Sequence, residues 1–492
     1  MSASTPHGPG APLTFLWHDY ETFGVLPRRD RPAQFAGIRT DAELNEVAAP
    51  VEWFCQPAPD YLPQPEACLL TGILPQTCLQ RGVPEHAFAA NILAELGRPG
   101  TVGVGYNTIR FDDEVTRFLF WRNLIDPYAR EWQNECGRWD LLDVVRCTYA
   151  LRPEGIEWPR HDDGRPSFKL EHLSAANGLM HDAAHDAVSD VRATIALARL
   201  IKERQPRLWS FCLKLRHKAA VLEEMGGVGA GGRPFLHISG MYGADKGCLA
   251  VVWPLAPHPT NKNEVIVWDL SHDPAELMGL TLDDMRLRLF SKADALPEGV
   301  SRLPIKTIHI NKSPIVISNL KTLSPEMAQR WGVDMAQAMR HAEAAASVAP
   351  KLAGMWPEVF ARPEAAAGAR GVDVDEDLYG GFLGREDRNR LDRLRALSPD
   401  ALAQARAAFD DPRLEELLFR YRARNFPHTL SDEDAQRWQA HCAARLHEGQ
   451  GGSLTVQAFM DEIETLSEEA DERGQDILGA LMDYAEHIAP EL

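Results

Sequence analysis

Apolar positions come first in short runs and later in helical stripes. Leu13 to Trp17, Gln34 to Thr40 and Val51 to Gln56 read as successive short strands, the last two bounded by Pro or polar clusters, as in an antiparallel meander. TVGVGYN, Thr101 to Asn107, is a further apolar run. Behind it Val115, Phe118, Leu119 and Arg122 fall on related positions of a helix, and WDLLDVVRCTYAL and HDAVSDVRATIALARLIKER read as further helices. Strands first, then strands alternating with helices, predict an α/β region with a mixed sheet covered by helices. After about residue 205 the pattern changes. EEMGGVGAGGRP, with its Gly-rich stretch 226–232, reads as a link or long loop, and the strand-like segments FLHISGMYG, CLAVVWPL, EVIVWDL and IKTIHINKSPIVI follow it. From about Pro325 the stripes are helical, with an Ala/Gly-rich break at Ala361 to Val372.

At 492 residues the chain is too long for one core, and roughly 150 residues per domain suggests two to four domains, three by this pattern. The divisions read as a disordered segment 1–12, an α/β domain 13–205, a β-rich domain 206–357 and a helical domain 358–492. Hydrophobic content of 45% and charged content of 25% permit ordinary cores. No run reaches the roughly 18 apolar residues of a membrane span, and the start lacks the pattern of a signal peptide, so a cytoplasmic protein with no membrane partner is expected; a monomer is expected separately. The eight cysteines form no C-x-x-C pair and read as reduced structural thiols. A net charge of −19 repels nucleic acid unless positive charge is local or cations are bound. Positive charge is local: Lys202 to Lys218 carries six basic residues and one acid, whereas Asp461 to Glu472 carries seven acids and no Lys or Arg. Either run also fits a plain solvated helix face.

In LTFLWHDYETFG, Asp19 and Glu21 are two apart and project from one face of a strand end, where they repel unless a hard cation lies between them. Solvated turn acids would explain this pair if it stood alone. YNTIRFDDEVTRFLF adds Asp112, Asp113 and Glu114 at a helix start, which a capping role would also explain. Asp112 shares its face with Val115 and Leu119, whereas Asp113 lines up with Thr116, Arg117 and Phe120, so Asp112 is the better interior candidate. HDAAHDAVSDVRAT holds two overlapping H-x4-D matches, His181 with Asp186 and His185 with Asp190. Asp190 falls on the stripe Ala193, Thr194, Leu197 and Ile201; Asp186 lies near the same face, and periodicity does not decide between the pairs. Four carboxylates and one histidine suit two-metal phosphodiester hydrolysis, with oxygen ligands favouring Mg²⁺ or Mn²⁺ and a histidine taking a proton from water.

HDYETFG, GYNTIRFDDEVTR, RWDLLDV, YALRPEGI and AHDAVSDVRATIA, in this order, resemble the DEDDh group of 3′ to 5′ exonucleases, and more narrowly bacterial exodeoxyribonuclease I. The likeness continues through HISGMYG, IHINKSPI and YRARNFP, and covers nearly the whole chain. It implies a ribonuclease H-like mixed-sheet exonuclease domain, an SH3-like β-rich domain and an α-helical C-terminal domain. It also implies 3′ to 5′ degradation of single-stranded DNA to 5′-mononucleotides in DNA repair and recombination. Asp19, Glu21, Asp112 and Asp190 then bind two Mg²⁺ ions, for which Mn²⁺ can substitute, and His185 is the general base. Substrate contacts are implied for Glu21, Arg117, Tyr128, Trp132, Arg146 and Lys169, the last standing where the family usually has Arg.

The resemblance further implies docking of the acidic tail of single-stranded DNA-binding protein, with Arg152 a contributor. The family's TLRP stretch is TLSP here, with Ser324. Arg117, Arg146, Lys169 and the Lys202 to Lys218 run would form a basic path for the strand, with the later domains as a clamp. Phe23, Phe111, Tyr128, Trp132 and Trp139 are aromatic candidates for base stacking, most of them expected in the core. A 3′ exoribonuclease of the RNase T or oligoribonuclease kind shares the same five residues but is typically a single domain; a binding scaffold without activity is disfavoured because all five are present.

Overall fold

The structure is a computed structural model that describes residues 11–179, 187–361 and 371–489. The expected disordered segment 1–12 lies almost wholly outside the described residues. The chain divides into two compact units, one formed by Met1–Gly137, His181–Arg192 and Arg370–Leu492, the other by Arg138–Met180 and Ala193–Ala369.

The first sheet contains β1 (Thr14–Thr22), β2 (Pro32–Thr40), β3 (Val51–Phe54), β4 (Thr101–Gly105) and β5 (Gly137–Asp140), in the order β3-β2-β1-β4-β5. β1 is antiparallel to β2 and parallel to β4, so the sheet is mixed as expected. β1 is longer than its apolar run. Asp19 and Glu21 lie inside the strand, opposite Ala36 and Gln34 of β2, because the β2 ladder continues almost to the end of β1. Pairing with β4 runs only from Thr14 to Trp17. Beyond Trp17 that edge of β1 has left the β4 ladder, and the backbone there can take side-chain partners.

The Asp112–Arg122 helix is buried at every position except Glu114. Val115, Leu119 and Phe120 pack with Leu16, Phe35 and Phe88 in one core cluster. Phe118 and Trp121 pack in another with Leu391, Leu414, Leu417 and Tyr421 from C-terminal helices. A third cluster joins Phe23, Tyr61 and Leu62 to Leu446, Phe459, Ile477 and Leu481. The helical C-terminal region, expected as a domain from residue 358, therefore packs within the same compact unit as strands β1 to β4.

In the second unit β6 (Phe235–Ile238), β7 (Leu249–Pro257), β8 (Glu264–Asp269), β9 (Ile305–His309) and β10 (Ile315–Ile317) form an antiparallel sheet ordered β10-β6-β7-β8-β9. The run IKTIHINKSPIVI thus becomes two strands at opposite edges, separated by a turn in which Ser313 has φ 48. The Gly-rich stretch is a compact 3₁₀ turn at Gly229–Gly231. All eight cysteines are unbridged and buried. No helix among the described residues is long and apolar enough to cross a membrane.

Candidate active site

The period-2 geometry of β1 places the Asp19 and Glu21 side chains on one face. Asp190 reaches them from the first turn of the Ala187–Arg204 helix, whose Ala193, Thr194, Leu197 and Ile201 are buried as the stripe predicts. One carboxylate oxygen from each of Asp19, Glu21 and Asp190 lies within 4.8 Å of the other two. Asp112 joins through the edge that β4 leaves open, where the Tyr20 N–H donates to its Oδ1 at 3.1 Å. Thr116 braces this corner: its hydroxyl donates to the Asp112 carbonyl at 2.8 Å and shares a 2.9 Å hydrogen bond with the Tyr20 hydroxyl.

Burial, then repulsion from Asp112, Glu21 and Asp190, raises the Asp19 carboxyl well above the usual carboxylate range. Burial and the neighbouring Asp113 push Asp112 up to about 7, against hydrogen bonds that favour its anion. Oxygen donors crowded until they resist ionisation fit a hard divalent cation, which restores their charged form. Asp19, Glu21, Asp112 and Asp190 are the residues that would hold it. His18, adjacent in sequence, is a poor proton acceptor: burial first, and Arg130 second, hold its imidazole neutral with a pKa of about 4. His181, His185 and Asp186 lie outside the described residues.

Asp113 is buried like Asp112 but turns to a different partner, a salt bridge with Arg130 that is closed to solvent on both sides. Arg117 is also buried, with its guanidinium held by Glu131 and Glu114, and it lies over the Tyr128 ring at 5.2 Å. Trp132 is 64% exposed and open for stacking, whereas Phe23 and Trp139 are core residues. In the second unit Arg146 donates to Asp143 at 2.7 Å and packs so tightly on Gly240 that a Cβ there would sit 2.7 Å from its guanidinium carbon. Lys169 is exposed beside Glu171. Arg130 is the residue that sequence reasoning missed; a cation between two aromatic candidates, Tyr128 and Trp132, was the available signal.

Family models match the chain in three consecutive stretches: an exonuclease model over 16–198, the exonuclease I SH3-like domain over 216–362 and the exonuclease I C-terminal domain over 372–488. Exodeoxyribonuclease I of Escherichia coli is 45% identical over 479 residues, covering 96% of this chain and 98% of that one. The chain belongs to the exodeoxyribonuclease I family. Membership makes it an exonuclease with the fold described above. Exonuclease I of Methylocaldum szegediense superposes with a TM-score of 0.91 at 47% identity, over 97% of this chain and 99% of that one. E. coli exonuclease I in complex with a dA16 oligonucleotide superposes with a TM-score of 0.89 at 43% identity, over 97% and 100% of the two chains. A zinc-bound form of the E. coli exonuclease I complex with single-stranded DNA also superposes, as does an SSB/exonuclease I structure with an inhibitor. As an exodeoxyribonuclease I relative along its whole length, the chain is set apart from single-domain exoribonucleases.

Proposed function

We propose that this exonuclease removes 5′-mononucleotides from the 3′ end of single-stranded DNA by two-metal-ion hydrolysis, with Mg²⁺ as the working ion and Mn²⁺ able to replace it. The carboxylate cluster of Asp19, Glu21 and Asp190, with Asp112 acting on it, carries this reading. Bound cations would supply charge neutralisation and Lewis acidity to the attacking and leaving oxygens. The chain's own residues do the rest. The four acids fix the ligand geometry, the Tyr20 amide orients Asp112, and His185 takes the proton of the attacking water. Trp132 and Tyr128 offer aromatic faces to bases, and Arg146 and Lys169 offer charge to phosphates. Arg117 acts through the Tyr128 ring that its guanidinium lies over. The oligonucleotide complexes of the E. coli relative support the substrate assignment.

The functional divisions are taken as 13–205, 206–357 and 358–492. The acidic tail of single-stranded DNA-binding protein is assigned to a cavity of ≈ 530 Å³ in the second unit, lined by Arg152, Arg207 and Phe211 among others. Ser324 of TLSP has a structural duty, since its hydroxyl caps the Pro325–Arg330 helix by accepting from the Met327 N–H. The enzyme is assigned to DNA repair and recombination, as a cytoplasmic monomer. The test is side-by-side digestion of 3′-labelled single-stranded DNA and RNA, with Mg²⁺ and with chelator. Mononucleotide release from DNA that stops with chelator is expected; preference for RNA, or chelator-resistant release, would overturn the assignment.

A further inference from the structure

Between the stacking candidates Tyr128 and Trp132 lie two residues that tie their segment to the metal-ligand helix. Arg130 donates through Nη2 to Asp113 in a salt bridge from which solvent is excluded on both sides. Glu131 accepts from Arg117, at 2.7 Å from Nε and 3.0 Å from Nη2. Asp113 and Arg117 are four residues apart and so lie on one face of the helix that begins with Asp112. Successive residues of the segment are thus bound to successive turns of that helix. The Arg130 guanidinium is also confined by β4, where a Cβ at Gly103 would come within 3.1 Å of Nη1.

A dry ion pair of this kind contributes little net stability compared with an apolar replacement, and its best-attested use is to fix register. We propose that Arg130 is a positioning residue: through Asp113 it sets Tyr128 and Trp132 relative to Asp112, so that the last bases of the strand stand in register with the carboxylates. This rests on the single-strand function proposed above. The pair touches no reacting atom. It governs how an extended strand is seated, and a substrate with no upstream base should not need it.

The test uses the full chain and the double variant Arg130→Met with Asp113→Asn, which removes both charges at similar volume and strands neither. KM and kcat are measured for an oligothymidylate and for the p-nitrophenyl ester of thymidine 5′-phosphate, which presents one nucleotide. The oligonucleotide KM should rise about tenfold, while kcat/KM for the ester stays within about twofold of the unaltered enzyme. Arg130→Lys, which keeps the charge but not the planar fork, is the second variant and should raise the oligonucleotide KM by a smaller factor with the ester unaffected. An unchanged oligonucleotide KM in a variant that melts cooperatively overturns the proposal. So does an equal loss on both substrates, which would make the pair a mere support of the Asp112 turn. Failure of the unaltered enzyme to degrade single-stranded DNA would overturn the substrate assignment instead, and is read separately.

Discussion

The Tyr20 amide donates to Asp112 across 92 positions of sequence, at 3.1 Å. This bond forms where β1 has left its β4 partner, and it converts a strand edge into the corner of a carboxylate site. The adjacent Asp19 therefore feels Asp112 more strongly than either of the other two acids.

Asp19→Asn or Asp190→Asn should abolish hydrolysis and leave the fold intact, because each removes one charge from a site built to hold hard cations. Relief of carboxylate repulsion should leave the melting temperature equal or higher. Single-strand binding, measured by anisotropy, should largely survive. Near-normal turnover of either variant in saturating Mg²⁺ would remove it from the ligand set.

His185→Ala should slow hydrolysis by about 10² to 10⁴-fold, the usual worth of a positioned general base, whereas His181→Ala should cost little. Single-turnover rates of the two variants decide which H-x4-D pair acts. A larger loss from His181→Ala would reverse the assignment.

Much of this site was legible because it depends on local periodicity. Alternation along β1 places Asp19 and Glu21 together, and the stripe through Ala193, Leu197 and Ile201 favours Asp190 without excluding Asp186. The same reasoning selects Asp112 but does not reveal that its helix is buried almost all round, with C-terminal residues such as Leu414 and Tyr421 packing on Phe118 and Trp121. Nothing in the local pattern announces a partner nearly three hundred positions away. The extra length of β1 was hidden for a related reason: charged residues do not read as strand until the β2 ladder and the Asp112 acceptor are known. The roles of Arg130 and Glu131 depend on pairing with Asp113 and Arg117, and composition alone could not assign it.

Acid should weaken the first unit through Asp60 and Asp375. Burial alone would raise both carboxyls, but Arg424, in salt bridges with each, outweighs it together with His441 and Arg445 at Asp60 and with Arg31 and Arg420 at Asp375. Both end well below the usual range. A depressed folded pKa gives stability that is full above the unfolded value of about 3.9 and is lost as pH falls toward the folded value. Urea midpoints should therefore be insensitive to these groups near pH 7 and drop below about pH 4. Arg424→Met, which leaves buried carboxylates short of a partner, should cost about 3–5 kcal/mol at pH 7 and flatten the acid limb. An unchanged midpoint at pH 7 would show that the remaining arginines suffice.

Ending the chain at Ala361 should prevent folding of the first unit instead of merely shortening runs of digestion. The cut removes Leu446, Phe459, Ile477 and Leu481 from the cluster around Phe23, Tyr61 and Leu62, and removes Leu414, Leu417 and Tyr421 from the cluster around Phe118 and Trp121. It also takes Glu376 from Arg29, Asp375 from Arg31 and Arg424 from Asp60. Each large apolar side chain returned to water forfeits about 1.5–3 kcal/mol, so a handful exhausts the roughly 5–15 kcal/mol by which a domain is stable. Trp121 and Asp112 belong to one helix, and loosening one end of it disturbs the carboxylate corner at the other. The truncated chain should lose its cooperative melt and near-ultraviolet dichroism, and its hydrolysis should fall with them. A truncated protein that melts cooperatively near the full-length temperature and hydrolyses DNA would show that the C-terminal helices are dispensable to this core, and would leave them the role of a clamp on the strand.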